Sequence, residues 1–232
     1  MIQIILSAER YHFESDWLST YWHFSFDHYY DPENVHFGPL RVFNDDVIQP
    51  AGGFPMHSHG EMEILTYVLE GKLEHRDSLG NRGVIVAGEV QRMSAGTGIR
   101  HSEYNASDSG PVHLLQFWIQ PAERGLEPSW EQKRFARAER EGKLLAVVSG
   151  NPQDGAVKIH QDATVFVSAL GVGQEVAHEL ASGRRAYLFV IEGKVMLNGR
   201  PVEGGDQARV SDETKLTLAA VQSSELLLID LP

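Results

Sequence analysis

Short runs of alternating apolar and polar residues, separated by glycine-rich turns, cover most of the chain. Apolar residues at every second position are typical of strands that bury one face. The Gly, Pro, Asp and Asn residues between the runs favour hairpin turns. Helical composition is confined to residues 130–142, which argues against a parallel α/β sheet. The pattern predicts an all-β protein, with strands over residues 40–43, 63–70, 83–87, 112–119, 164–170, 185–191 and 215–219.

The strand pattern occurs twice along the chain. The segment LTYVLEGKLEHR at 65–76 is echoed by LFVIEGKVMLNG at 188–199, and both place Glu-Gly-Lys after an apolar strand. A second match follows each segment, with AGE before MS at 87–94 and GGD before VS at 204–211. Two matches in the same order predict two copies of one β-unit. We assign these copies to residues 1–132 and 133–232.

Composition and charge limit the possible partners and location. The 42% apolar and 22% charged residues are ordinary for a globular protein, and no apolar run is long enough to cross a bilayer. The first residues lack the basic start and the cleavage site of a secretory signal, so we expect a cytoplasmic location. A net charge of −12 disfavours direct binding to nucleic acid or to a membrane, although it permits a protein partner.

The chain has no cysteine and 11 histidines. The absence of cysteine excludes disulfides, thiolate metal sites and cysteine nucleophiles. Any bound metal must therefore have nitrogen and oxygen ligands, and the histidines are the candidates to supply the nitrogen.

Two short motifs carry ligands with the same spacing. His57 and His59 are two residues apart, as are His101 and Glu103, and side chains two apart on a strand point to the same side. Two such pairs on neighbouring barrel strands would direct four ligands at one interior point. Three imidazoles and a carboxylate suit one divalent transition metal and select weakly among iron, zinc, nickel, copper, manganese and cobalt.

The identity of the fourth ligand stays open on spacing alone. Glu61 and Glu63 share strand parity with His57 and His59, so strand geometry does not decide between them and Glu103. The second copy has His178 before its echo and no histidine after it. We therefore expect the C-terminal copy to be metal-free.

Several motifs resemble those of a known family. His57-x-His59-x3-Glu63, then Gly71, then Gly98-x2-His101-x3-Asn105 resembles the two cupin motifs, with Gly96 replacing the usual proline. The flanking sequence resembles bacterial pirins in the segments FSF at 24–26, YYDP at 29–32, LRVFNDD at 40–46, MEILTYVLEG at 62–71 and SAGTGIRHSE at 94–103. This resemblance is dense over residues 14–120 and thins in the second half of the chain.

The resemblance implies a fold and a ligand set. Pirins are bicupins, in which two antiparallel jelly-roll β-barrels face each other and the N-terminal barrel holds the metal. Carried onto this sequence, the family ligands are His57, His59, His101 and Glu103, with iron(II) as the metal. Glu63 would then orient one of the ligating histidines.

The resemblance also implies two alternative functions. Several bacterial pirins are associated with the oxidative ring opening of flavonols such as quercetin, which implies a metal-dependent dioxygenase acting on a small aromatic substrate and O2. Glu103 would then accept the proton of the substrate hydroxyl. The alternative is a non-catalytic, metal- or redox-responsive binding protein that modulates a protein partner.

A substrate cavity beside the metal would need apolar walls. Phe54, Met56, Met62 and Met93 are candidates to supply them, although apolar residues at such positions more often pack in the core. We expect the other histidines to be surface residues or satisfied core residues, and His113, on a predicted barrel strand, is the best candidate among them to approach the cavity.

Overall fold

The computed structural model describes residues 1–151 and 155–232, and within them it contains twenty-two strands, one 3-10 helix (Ser7–Glu9) and one short α-helix (α1, Arg137–Arg140). Strands β1 to β11 are Ile2–Ile5, Tyr11–Glu14, Leu18–Trp22, Leu40–Ile48, Gly53–His59, Glu63–Glu70, Lys72–Asp77, Arg82–Val86, Glu89–Ser94, Ile99–Asn105 and Val112–Ile119. Strands β12 to β22 are Ser129–Arg134, Leu145–Ser149, Val157–Lys158, Thr164–Leu170, Glu175–Glu179, Arg185–Glu192, Lys194–Leu197, Arg200–Glu203, Gln207–Ser211, Lys215–Ala220 and Ser224–Leu231.

The first compact unit, here the N-terminal barrel, comprises Tyr11–Arg134 and Val157–Gln161. Its two sheets have the strand orders β12-β9-β6-β11-β4-β3-β2 and β5-β10-β7-β8. The inward-facing apolar residues form two separate clusters, one around Val68 and Leu114 and the other around Ile64 and Met93. Seven buried residues form the first of these clusters and four form the second.

The second unit, here the C-terminal barrel, comprises the described residues of Met1–Arg10, Phe135–Ala156 and Asp162–Pro232. Its sheets contain the orders β1-β20-β17-β22-β15-β13 and β16-β21-β18-β19. Sixteen buried residues, mostly leucine and valine, form one continuous core cluster. Strand β1 joins this unit through antiparallel pairing with β20, so the first strand of the chain belongs to the second barrel.

The two barrels repeat one strand order. Strand β6 lies between β9 and β11 as β17 lies between β20 and β22, and β10 lies between β5 and β7 as β21 lies between β16 and β18. The turns at Gly71 and Gly193 occupy equivalent places, each with positive φ in the shared Glu-Gly-Lys sequence. The prediction of an all-β protein with two cupin domains is confirmed. The boundary between residues 132 and 133 stays a proposal.

The helical composition of residues 130–142 produces only a short helix. Residues Ser129–Arg134 form β12, which pairs with β9, and only Arg137–Arg140 is helical. The local composition favours a helix, but ladder hydrogen bonds along an open sheet edge outweigh this weak preference. No helix among the described residues is long and apolar enough to span a membrane.

Candidate metal centre and cavity

Strands β5 and β10 bring three predicted histidines together in the N-terminal barrel. His101 lies directly opposite His57 in the ladder, and Ile99 lies opposite His59. The Nε2 atoms of His57 and His101 are 3.0 Å apart. One ring nitrogen from each of the three histidines lies within 4.8 Å of those of the other two. The sequence spacing therefore gives the expected convergence.

The ring nitrogens of this cluster are arranged to bind a cation. Pro55 O lies 2.8 Å from Nδ1 of His57, so Nδ1–H donates there and the Nε2 lone pair faces His101. Nε2 of His59 is buried and has no hydrogen-bond partner among the described residues. Two nitrogens that each lie about 2.1 Å from a metal, at right angles, are about 3 Å apart. The three residues therefore fit a divalent first-row metal.

Burial keeps the imidazoles of His59 and His101 uncharged at neutral pH. It lowers the pKa of His59 to about 4, and the neighbouring His101 and His57 lower it further while Glu103 opposes them. Burial, followed by His57 and His75, lowers the pKa of His101 to about 3 against the effect of Asp77. A neutral imidazole has the free lone pair that a metal requires, so protons do not compete with the metal near pH 7.

A second buried histidine lies behind His101. Nδ1 of His75 is 3.4 Å from Nδ1 of His101, and Nε2 of His75 is 3.5 Å from a carboxylate oxygen of Asp77. Because the Nε2 of His101 faces His57, its Nδ1 carries the proton and donates to His75, whose Nε2–H points at Asp77. Such outer partners orient a ligating imidazole. Sequence reasoning missed this role of His75, because it depends on strand register.

Glu103 lies beside the cluster and is held by polar neighbours. The register of β10 on β5 shifts between His101 and Glu103, so Glu103 pairs with Phe54. Its carboxylate accepts a hydrogen bond of 2.8 Å from Nε2 of Gln116 and a weaker one of 3.5 Å from the hydroxyl of Thr66. It falls in a group with His101 and His75 whose candidate ligand atoms lie within 4.8 Å of one another.

The two alternative carboxylates point elsewhere. The Glu61 carboxylate accepts the backbone N–H of Gly125, and Glu61 itself has a positive φ of 52° in the turn after β5. Glu63 is fully buried, where it accepts the hydroxyl of Ser94 at 2.8 Å and contacts Nδ1 of His160 at 3.1 Å. Neither belongs to the two candidate ligand groups found among the described residues. The expectation that Glu63 orients a ligating histidine is wrong.

A cavity of about 510 Å³ opens beside the histidines within the N-terminal barrel. His57, His59 and Glu103 form one part of its lining. Polar side chains of the seven-stranded sheet contribute a second part, namely Asn44, Asp46 and Gln116. The remaining walls are mainly aromatic, with Phe13, Trp17, Trp22, Phe26, Phe54 and Trp118, and Leu18, Asp27 and Pro55 complete the lining.

Of the four candidates for the apolar lining, one borders the cavity and two pack in a core cluster. Phe54 lines the cavity, but Met56 is 43% exposed, and Met62 and Met93 belong to a separate core cluster. His113 bonds Asp45 at 2.7 Å and is absent from the lining. The tryptophans were missed because strands β3 and β11 are distant in sequence and become neighbours only through β4.

The C-terminal barrel has different residues at the equivalent positions. Alignment of the barrels at the Glu-Gly-Lys turn makes Glu74 equivalent to Met196, and the ladders of β10 and β21 then match residue by residue. Only the first of the four predicted ligands keeps its residue type. The equivalents of His57, His59, His101 and Glu103 are His178, Leu180, Leu216 and Leu218.

Each half of the chain matches a model of a known protein family. Residues 6–119 match the Pirin family model, and residues 146–231 match the model of the quercetinase C-terminal cupin domain. Quercetin 2,3-dioxygenase of Escherichia coli K12 is 46% identical over 232 residues, covering 100% of this chain and 99% of the relative. A pirin-like protein of Caulobacter vibrioides is 44% identical over 215 residues, covering 92% of each.

A solved structure is similar over its whole length. The crystal structure of the bacterial pirin YhhW of Escherichia coli in complex with nickel(II) superposes with a TM-score of 0.95 at 46% identity. The match covers 100% of this chain and 99% of that one. Two family models in the expected order and close full-length relatives agree with the converging histidines, and the chain belongs to the pirin family.

Proposed function

We propose that this protein is a metal-dependent dioxygenase that opens the central ring of a flavonol, or of a similar aromatic compound, with O2. One observation carries the proposal: three imidazoles direct ring nitrogens to one point beside an aromatic-lined cavity. The full-length relative named quercetin 2,3-dioxygenase supports the same reaction class. The cavity of about 510 Å³ falls within the range of small-molecule sites, which suits a planar substrate of three rings.

For the resident metal we propose iron(II), held by His57, His59, His101 and Glu103. Imidazole and carboxylate ligands also accept zinc, nickel, copper, manganese or cobalt, so the ligand set alone does not select iron. The nickel-bound relative is consistent with this tolerance. When bound, the metal supplies the Lewis acidity that activates a substrate hydroxyl.

The protein residues of this site bind the substrate, orient it and move one proton. Stacked against Trp22, Phe54 or Trp118, a planar ring would displace water from the cavity. Glu103 is the proposed acceptor of the proton from the substrate hydroxyl, and Gln116 holds its carboxylate in place. Both atoms of O2 enter the product, and the ring carbon that is lost leaves as carbon monoxide.

The alternative function is a non-catalytic protein that responds to metal or redox state and binds a protein partner. It would use the same histidines, so the ligand cluster does not separate the two functions. The open aromatic cavity favours the enzyme, because a sealed site beside an exposed apolar face would suit the binding protein better.

The direct test is turnover. Protein reconstituted anaerobically with iron(II) is mixed with quercetin, and oxygen consumption and carbon monoxide release are measured together. We expect one carbon monoxide per O2 consumed. The same protein reconstituted with zinc, nickel, copper, manganese and cobalt forms the comparison series. No turnover with any of the six metals would favour the non-catalytic alternative.

A further inference from the structure

The neighbouring strands β4, β11 and β6 carry a row of polar side chains, of which Asn44 and Gln116 line the cavity. The ladder places Asn44 opposite Gln116, and Gln116 opposite Thr66. Gln116 and Thr66 both donate hydrogen bonds to Glu103, and the Oε1 atom of Gln116 accepts a hydrogen bond from the indole of Trp118. These two residues are therefore already occupied in supporting the metal side of the cavity, whereas Asn44 is not part of that network.

Asn44 presents an unused acceptor to the cavity. The residue is 4% exposed and lines the cavity, and its Oδ1 is buried without a hydrogen-bond partner among the described residues. Buried amide oxygens in folded proteins are almost always paired with protein or with a bound molecule. The atom therefore calls for a hydrogen-bond donor supplied from within the cavity.

Asp46 lies two residues along the same strand and lines the same cavity. Burial raises its pKa to about 7, and Asp45 and Glu103 add to this, whereas the Thr20 hydroxyl and His113 oppose it. Near neutral pH the carboxyl can therefore donate a hydrogen bond or accept one. Asp46 and Asn44 together can bind a hydroxyl group, which is both a donor and an acceptor.

The C-terminal barrel shows that the fold does not require polar residues here. When the two barrels are aligned at the Glu-Gly-Lys turn, Thr66 is equivalent to Leu188. The ladders then make Gln116 equivalent to Leu228 and Asn44 equivalent to Phe166. All three equivalents pack in or against the apolar core of that barrel. The polar row of the N-terminal barrel therefore serves its cavity and not the strand order that both barrels share.

We propose that Asn44 and Asp46 bind a second hydroxyl group of the substrate, distinct from the one that coordinates the metal. The aromatic walls favour a planar ring, and the lining contains three acidic side chains, Asp27, Asp46 and Glu103, and no lysine or arginine, which disfavours an anionic substituent. The ligand class is thus a neutral planar polyphenol with hydroxyl groups in at least two places. This inference rests on the proposed function, because it assumes that the first hydroxyl coordinates the metal.

The test compares two flavonols on the metal-loaded protein. Quercetin carries several hydroxyl groups, whereas 3-hydroxyflavone carries only the one beside the ring carbonyl. Quenching of tryptophan fluorescence reports binding directly, since three tryptophans line the cavity. We expect the wild-type protein to bind quercetin roughly tenfold more tightly than 3-hydroxyflavone, as one or two well-placed hydrogen bonds provide.

The variants are Asn44→Leu and Asp46→Ser, of which the second copies Ser168 at the equivalent place in the other barrel. We expect each to reduce the preference for quercetin several-fold and to leave the affinity for 3-hydroxyflavone within about twofold. Asp45→Ser is the matched control, because Asp45 is the neighbouring residue but bonds His113 and does not line the cavity. It should keep the wild-type preference.

The outcomes separate this inference from the function on which it rests. If both flavonols bind the wild type and both variants retain its preference, or weaken the two ligands equally, the second-hydroxyl site is refuted and the proposed function survives. If the wild type binds neither flavonol and shows no turnover, the proposed function fails and this inference fails with it.

Discussion

The two barrels share one strand order and differ in what their interiors contain. The N-terminal barrel has small apolar clusters, a cavity and a cluster of three histidines. The C-terminal barrel has one continuous apolar core. Since the same fold forms with either interior, the polar interior is not a requirement of the fold. Its residues therefore point to function.

The equivalent positions show how the C-terminal barrel differs. Leucines occupy three of the four places that correspond to the predicted ligands, and His178 occupies the place of His57. Its Nε2 bonds the carboxylate of Asp230 at 2.7 Å, and Asp230 also accepts Nε of Arg184 at 2.6 Å. A histidine at a ligand position thus serves as one member of a hydrogen-bond network when the other imidazoles are missing.

The largest expected effect is loss of the metal from the N-terminal barrel. A double His57→Ala, His101→Ala variant removes two of three converging imidazoles, so we expect the ratio of metal to protein to fall from about one to near zero and dioxygenase activity to fall to background. Elemental analysis after reconstitution measures this ratio. His178→Gln is the control in the C-terminal barrel and should keep the parental metal content. If the double variant retained the cation, the proposed metal centre would be refuted.

The second effect contrasts packing in the two interiors. Leu228→Ala opens a hole in a filled core and should lower the free energy of unfolding by about 2 to 5 kcal/mol. The equivalent Gln116→Ala borders a cavity and should cost only about 1 kcal/mol. Turnover should show the opposite order, because Gln116 holds Glu103. Denaturant unfolding and activity are measured on both variants. Equal losses of stability would contradict the difference between a hollow and a filled barrel.

The third effect is a pH dependence that belongs to the N-terminal barrel. The pKa of Asp46 rises from 3.8 to about 7 on folding, so its contribution to stability is present below pH 3.8 and is lost as pH rises through about 7. Asp46→Asn removes this loss. Between pH 5 and pH 9 the metal-free wild type should lose roughly 2 to 3 kcal/mol relative to the variant.

Urea unfolding at the two pH values measures this difference. The equivalent Ser168 has no titrating group, so Ser168→Ala should leave the pH dependence of wild type unchanged. Parallel pH profiles for wild type and Asp46→Asn would show that the carboxyl does not titrate in this range.

The smallest expected effect tests the residue behind the metal cluster. His75→Leu gives the N-terminal barrel the equivalent residue of the other barrel, Leu197, and removes the acceptor for Nδ1–H of His101. We expect metal affinity to fall about 10- to 100-fold. Competition with a chelator measures it, and His12→Gln on the surface is the control. Unchanged affinity would limit His75 to a packing role.

The sequence predicted the fold class and much of the metal cluster because both depend on short-range patterns. Alternation of apolar residues indicates strands wherever one face is buried, and two histidines at i and i+2 must share a face. The duplicated Glu-Gly-Lys turn likewise predicted two copies of one β-unit, and the two barrels share one strand order. Local composition did not predict the structure of residues 129–134, which form a strand because they pair with β9.

The sequence by itself thus determined two similar β-barrels and a histidine cluster confined to the first. Only the tertiary structure decided which carboxylates approach the cluster, because strand parity treats Glu61, Glu63 and Glu103 alike. A turn directs Glu61 to Gly125, and Glu63 turns to Ser94 and His160. The support of His101 by His75, and the polar wall at Asn44 and Asp46, depend on ladder register between strands far apart in the chain. Sequence patterns encode which face a side chain occupies, but not which neighbour it meets.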